Sequence, residues 1–113
     1  MADQYKIQEA VTFIQQTPPE TYRLMDVTII DTPAAYEHGK VNGEAGVVDL
    51  KVAEDVNIFI MNCSVGVSLK FGSTTNPSLT NVTHFSYKGA KTSFWVSNSE
   101  TEDILISYST CAL

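Results

Sequence analysis

Between Val65 and Phe71 the chain alternates: Val65, Val67, Leu69 and Phe71 are apolar, and Gly66, Ser68 and Lys70 separate them. A strand sends successive side chains to opposite faces, so a period of two describes a half-buried β-strand and not a helix. The pattern recurs on both sides of this stretch. Val48, Leu50 and Val52 share a face, with Asp49 and Lys51 between them. Ile58 and Ile60 oppose Phe59 and Met61, which predicts a strand buried on both faces. His84–Lys88, Thr92–Asn98 and Asp103–Cys111 follow as further strands, parted by turns at Gly89-Ala90 and Ser99–Glu102.

The first third is less regular. Ile7, Ala10, Val11 and Ile14 recur at helical spacing behind Asp3 as an N-cap, whereas Tyr5, Ile7, Val11 and Phe13 fit alternation. The run Val11-Thr12-Phe13-Ile14 tips the reading of Asp3–Gln16 towards a strand or extended arm. Pro18-Pro19 ends that segment, and Thr17 to Glu20 also fit a capped helical turn. Tyr22–Thr32 reads as strand. Residues 33–46 hold three of the six glycines and read as a loop, with a tight turn at Asn42-Gly43. About seven strands at roughly ten-residue spacing predict a mainly β chain, an antiparallel β-sandwich or jelly-roll-like fold. The expected organisation is a single β domain over 1–113, with residues 1–20 as an N-terminal arm or short helix.

Charge adds a second constraint. Residues 1–55 carry ten acids against Lys6, Arg23, Lys40 and Lys51, whereas residues 56–99 carry no acid and only Lys70, Lys88 and Lys91. Such a split suits head-to-tail complementarity between subunits. Only 18% of residues are charged, fewer than the roughly 25% usual in globular chains, which suits contact with other protein. Three dispersed lysines are too few to displace counterions from a nucleic acid, so no direct nucleic-acid partner is expected. No run approaches the roughly 18–20 apolar residues that span a bilayer, so no membrane partner is expected either. The start, Met1-Ala2-Asp3-Gln4, lacks the basic and apolar regions of a secretory signal. The expectation is a chain made in the host cytoplasm and carried outside, if at all, by another route.

Patterns that carry chemistry fail one by one. There is no Gly-x-Ser-x-Gly nucleophile elbow, no His-x-His or His-x3-His pair, and no glycine loop followed by Lys-Ser/Thr. Asp26 and Asp31 bracket a strand at odd spacing, and Glu54-Asp55 reads as a pair of solvated turn acids. His38 and His84 stand alone, in a loop and at a strand start. Cys63 and Cys111 show no zinc spacing and are expected as reduced, apolar thiols, a disulfide between the two being the other reading. The sequons at Asn62 and Asn81 are expected to be accidental without an export signal. The chain is therefore expected to be no enzyme, with no cofactor, no metal and no catalytic residue.

What remains is aromatic. Phe94 and Trp95 are adjacent, so a strand sends them to opposite faces and one must look away from the core. Trp95 is accordingly the candidate interface residue, with Tyr87 beside it; a covered position and a sugar-stacking platform are the other readings of the same side chain.

Val67–Asn76, Thr92–Ser99 and Ile104–Tyr108 together form polar β-hairpins over residues 56–111. In that texture the chain resembles small bacteriophage virion structural proteins, the decoration, head-fibre and tail components. The resemblance implies a non-enzymatic subunit of a virus particle, capsid- or tail-associated, located in the virion. Its implied partners are itself, as a homo-oligomer, and other virion proteins. The alternative is a carbohydrate-binding or adhesin-like β-sandwich module holding a glycan through Trp95, Tyr87 and the Asn/Thr-rich loops.

Overall fold

Among the described residues every regular element is a β-strand, and the chain divides into two compact units, Met1–Pro33 and Ala34–Leu113. The computed structural model describes residues 4–16, 19–31 and 33–113, with side chains at 4–9, 16, 29–31 and 33–113.

The first unit is a hairpin. Strands β1 (Gln4–Gln16) and β2 (Pro19–Asp31) pair antiparallel without a register shift, from Gln4 opposite Asp31 to Gln16 opposite Pro19. Gln4 Nε2 donates to Asp31 Oδ1 at 2.7 Å and ties the open end. The helical alternative for this segment is thereby corrected. Pairing with a second strand lets the β-branched run at Val11–Ile14 override the helical spacing of its neighbours. The short helical turn anticipated after the prolines is corrected too, since strand begins at Pro19, a position where a missing donor is tolerated. Thr17 and Pro18 lie outside the described residues. At about 3.4 Å per residue each arm of this hairpin is roughly 44 Å long.

The second unit contains β3 (Ala35–Gly43), β4 (Leu50–Phe71), β5 (Leu79–Ser97) and β6 (Ile104–Ala112), in the antiparallel order β3-β6-β4-β5. The loop anticipated over 33–46 is a strand along Ala35–Gly43. Its glycines give it little strand propensity of its own; nine consecutive pairs with β6, from Ala35–Ala112 to Gly43–Ile104, impose the conformation. Gly39 suits this pairing, because a Cβ there would lie 3.3 Å from the Tyr108 hydroxyl. The tight turn falls after Asn42-Gly43, at Glu44–Val47. There Val47 N–H donates to Glu44 O at 3.0 Å and Gly46 takes φ +77°.

The segments that read as separate strands are straight stretches of two long, bent ones. Leu50 and Leu69 both pair with Val96, Lys51 and Lys70 both with Trp95, and Ala53 and Phe71 both with Phe94. A residue in a ladder has one neighbour on each side, so the two ends of β4 flank the last stretch of β5. The middle of β4 instead pairs with His84–Lys88 on one side and with β6 on the other. Two layers result, and the fold is sandwich-like. Phe59 in one layer stacks on Phe94 in the other, within a core that includes Met61, Val67, Leu69, Val96, Ile104 and Ile106. The strand through Ile58–Met61 is buried on both faces as anticipated: Ile58 is 3% exposed and Phe59 0%.

Each bend has an identifiable device. Asp49 and Asp55 both take φ 51°, and their N–H groups donate to the hydroxyls of Ser97 and Ser93 at 3.0 and 3.1 Å. Between Val56–Thr92 and Ile58–Lys88 the pairing advances two residues on β4 and four on β5, so Gly89-Ala90 bulges without ending the strand. At the other bend Gly66 sits against Asn81, which takes φ 56°; a Cβ at Gly66 would lie 2.9 Å from the Asn81 Cα. Buried Asn98 closes the far end. Its amide donates to Gly43 O and Glu102 O at 2.9 Å each, and its Oδ1 accepts from Glu100 N–H at 2.9 Å.

Candidate functional site

Trp95 lies where alternation puts it. Phe94 and Val96 turn into the core with no exposure, and Trp95 stands half-buried on the outer face of the layer. Its ladder neighbours are Lys51 and Lys70. Lys51 Nζ stands 5.9 Å from the indole centroid, a cation–π contact of about 0.5–1 kcal/mol at an exposed site. Each lysine also has its own carboxylate, Glu54 at 3.3 Å for Lys51 and Asp49 at 3.1 Å for Lys70. The surface is thus an indole flanked by locally neutralised charge, a combination suited to packing against protein.

Tyr87 does not join it. Tyr87 pairs with Phe59, its ring meets Phe94 edge-on at 5.3 Å, and its hydroxyl donates to Ala90 O at 2.8 Å. That ring belongs to the aromatic group around Phe94, with Phe71 and Phe85, on the opposite side of the layer from Trp95. The two candidate residues therefore do not form one platform.

The histidines have polar neighbours in the ladder. His38 Nδ1 lies 2.7 Å from Ser109 Oγ, and His84 Nδ1 lies 2.6 Å from Asn62 Oδ1. The cysteines are free, Cys111 being buried and Cys63 partly so. Burial pushes both thiols up from their ordinary range, the reverse of what activates a nucleophile. The ladder sets Cys111 opposite Ile58, five positions from Cys63, or about 17 Å along β4. A disulfide needs Cα atoms roughly 4.4–6.8 Å apart, so one chain cannot join the two. Among the described residues no group of three or more His, Cys, Asp or Glu side chains is placed to hold a metal ion. No described helix is long and apolar enough to cross a membrane.

A hollow of about 260 Å3 opens between the start of β3 and the first bend of β4. Glu37, Glu54 and Asp55 line it, together with Tyr36, Thr110 and the small apolar side chains of Ala35, Ala53, Val56 and Ala112. The Tyr108 hydroxyl donates to Glu37 Oε1 at 2.7 Å; this bond pushes the phenol up and holds the carboxylate in place. The sequence gives no local sign of this group, because Glu37 reaches Glu54-Asp55 only through the β3–β6 register and the β4 bend. A second hollow of about 290 Å3 lies among Val65, Glu100, Thr101, Glu102, Asp103 and Ile104.

No protein-family model matches the chain. No curated protein and no solved structure matches it.

Proposed function

We propose that the chain is a non-enzymatic structural subunit of a virus particle, a bacteriophage capsid- or tail-associated component that assembles through protein–protein contacts. The observation that carries this reading is the hairpin of β1 and β2. Thirteen uninterrupted pairs make it more than twice the usual strand length of about five or six residues. Among the described residues it is a two-stranded sheet in which neither strand has a second ladder partner, and a strand edge of that kind can take one from another chain. An isolated two-stranded hairpin is marginal in water; a third strand or a packed face stabilises it. Neighbouring subunits of a particle supply such strands; the side chains of Tyr5 and Ile7, 6% and 5% exposed, are already covered. Among the described residues β3 has a ladder partner on one side, β6, and its other edge is a further place of the same kind. Trp95 on an outer layer face supplies an aromatic anchor for protein contact, and its separation from Tyr87 weighs against the glycan platform.

The reading is tested on the full chain. Sedimentation should show association that grows with concentration, and quantitative mass spectrometry of purified phage particles should find the chain in a fixed number of copies. A protein that stays monomeric at hundreds of micromolar and is missing from particles would overturn it.

A further inference from the structure

The hollow at the start of β3 has the chemistry of a socket for a lysine side chain. Glu54 is offset by Lys51, but Asp55 has no ion-pair or hydrogen-bond partner for its carboxylate among the described residues, and Glu37 is oriented by Tyr108 without being neutralised. Thr110 lines the same hollow; it is 5% exposed, and its hydroxyl has no hydrogen-bond partner among the described residues. Two uncompensated carboxylates and the hydroxyl of a largely buried threonine above a floor of alanine and valine suit a primary ammonium on an aliphatic stem. Such a group has three donors and no acceptor, and its methylenes lie against apolar surface.

The chain's own surface supplies a candidate for that group. Lys51 and Lys70 are already paired, and Lys88 is engaged. Lys91 is exposed and has no ion-pair partner among the described residues. It also stands at the same end of the sandwich as the hollow, because Thr92 pairs with Val56 and Ser93 Oγ accepts from Asp55 N–H. Lys40, also exposed, sits mid-strand on β3 opposite Ser107, away from that end. A surface that carries both a socket and a plug is self-complementary, and a two-fold axis satisfies both copies at once.

We propose that a second copy of this chain docks end to end on this surface, each copy's Lys91 entering the other's Glu37–Glu54–Asp55 hollow. The inference rests on the reading of the chain as an assembling subunit and names one of its contacts.

Chains labelled with 14N and 15N are mixed and treated with a carbodiimide, which joins a lysine amine directly to a carboxylate. The expected products are mixed-label peptides linking Lys91 to Glu37, Glu54 or Asp55, in a species of twice the chain mass. Lys91→Glu should weaken self-association about tenfold or more, and adding Glu54→Lys should recover it. Asp55→Asn should weaken it without disturbing the bend, since asparagine tolerates that backbone. Raising ionic strength from 0.1 to 1 M shortens the screening length from about 10 to 3 Å and should also loosen the pair. Lys91→Gln, read alongside a strand-type circular dichroism spectrum, separates charge loss from misfolding. Links found only within one label, or association unchanged by Lys91→Glu, would overturn this contact and leave the assembly reading standing. A chain monomeric at every concentration and missing from particles would overturn both.

Discussion

Phe59 and Phe94 stack across the two layers with ring centroids 4.3 Å apart and planes 15° from parallel. Both are fully buried, and Phe71, Phe85 and Tyr87 close around Phe94. Truncating Phe94 removes the shared partner of all these rings. Phe94→Ala should therefore cost about 3–5 kcal/mol in urea unfolding. Its neighbour Trp95, on the outer face, should cost only about 1 kcal/mol when changed to alanine while weakening association. Equal losses from the two substitutions would contradict the assignment of faces.

The alternation that separates these two residues was legible in the sequence, and so was the double burial of Ile58–Met61. The strand over Ala35–Gly43 was not. Its residues carry no apolar period, and what makes them a strand is a partner about seventy positions away. The bends were half legible. Gly89-Ala90 marks a real departure from straight pairing, but nothing local says that the chain resumes the same strand beyond it. The acidic hollow was invisible for the same reason as β3, since long-range register assembles it.

Asn98 satisfies both N–H donors and its carbonyl while bridging the turn after β3 to the turn before β6. Asn98→Ala should cost about 2–3 kcal/mol, because the carbonyls of Gly43 and Glu102 lose a buried donor. Hydrogen exchange should quicken first around residues 43–47 and 98–103. A change confined to other regions would show that the two turns are held by something else.

Gly66 and Gly46 make a paired test of two different reasons for glycine. A Cβ at Gly66 meets the Asn81 backbone, so Gly66→Ala should destabilise by about 3 kcal/mol or more, or prevent folding. Gly46 has φ +77° and nothing within 4 Å, so Gly46→Ala should cost only about 1–2 kcal/mol of backbone strain. Midpoints of thermal unfolding rank the two, and a reversed order would refute the close approach at Asn81.

Two groups of opposite sign predict how stability follows pH. The N–H of Ala45 and the amide of Asn42 hold the Asp103 carboxyl below its usual range. Its contribution is complete above the ordinary carboxylate range and is lost as pH falls through the lowered folded value. Asp103→Asn should thus be less stable than the parent near neutrality, with the gap closing in acid. Burial raises the thiols of Cys63 and Cys111, and a bond to Glu37 raises the Tyr108 phenol. The stability these groups lend is complete below their ordinary ranges and is lost as pH climbs through the raised folded values. Alkylation by iodoacetamide should be slow at neutral pH, and the monomer should have the same mass with and without reductant. A mass two hydrogens lower in the absence of reductant would disprove the spacing of Cys63 and Cys111.

The pairing order β3-β6-β4-β5 also carries a consequence for biosynthesis. β6 lies between β3 and β4, yet it is translated after both. Some sixty residues separate the end of β3 from the start of β6. At about 5–20 residues per second the ribosome takes several seconds to bridge that gap. Throughout that interval β3 has no hydrogen-bonding neighbour in its own sheet, and the middle of β4 has only β5. β6 is therefore the strand that joins β3 to the β4–β5 pair, and a nascent chain stalled before Ile104 holds two unsealed edges in that sheet, available to any neighbouring copy.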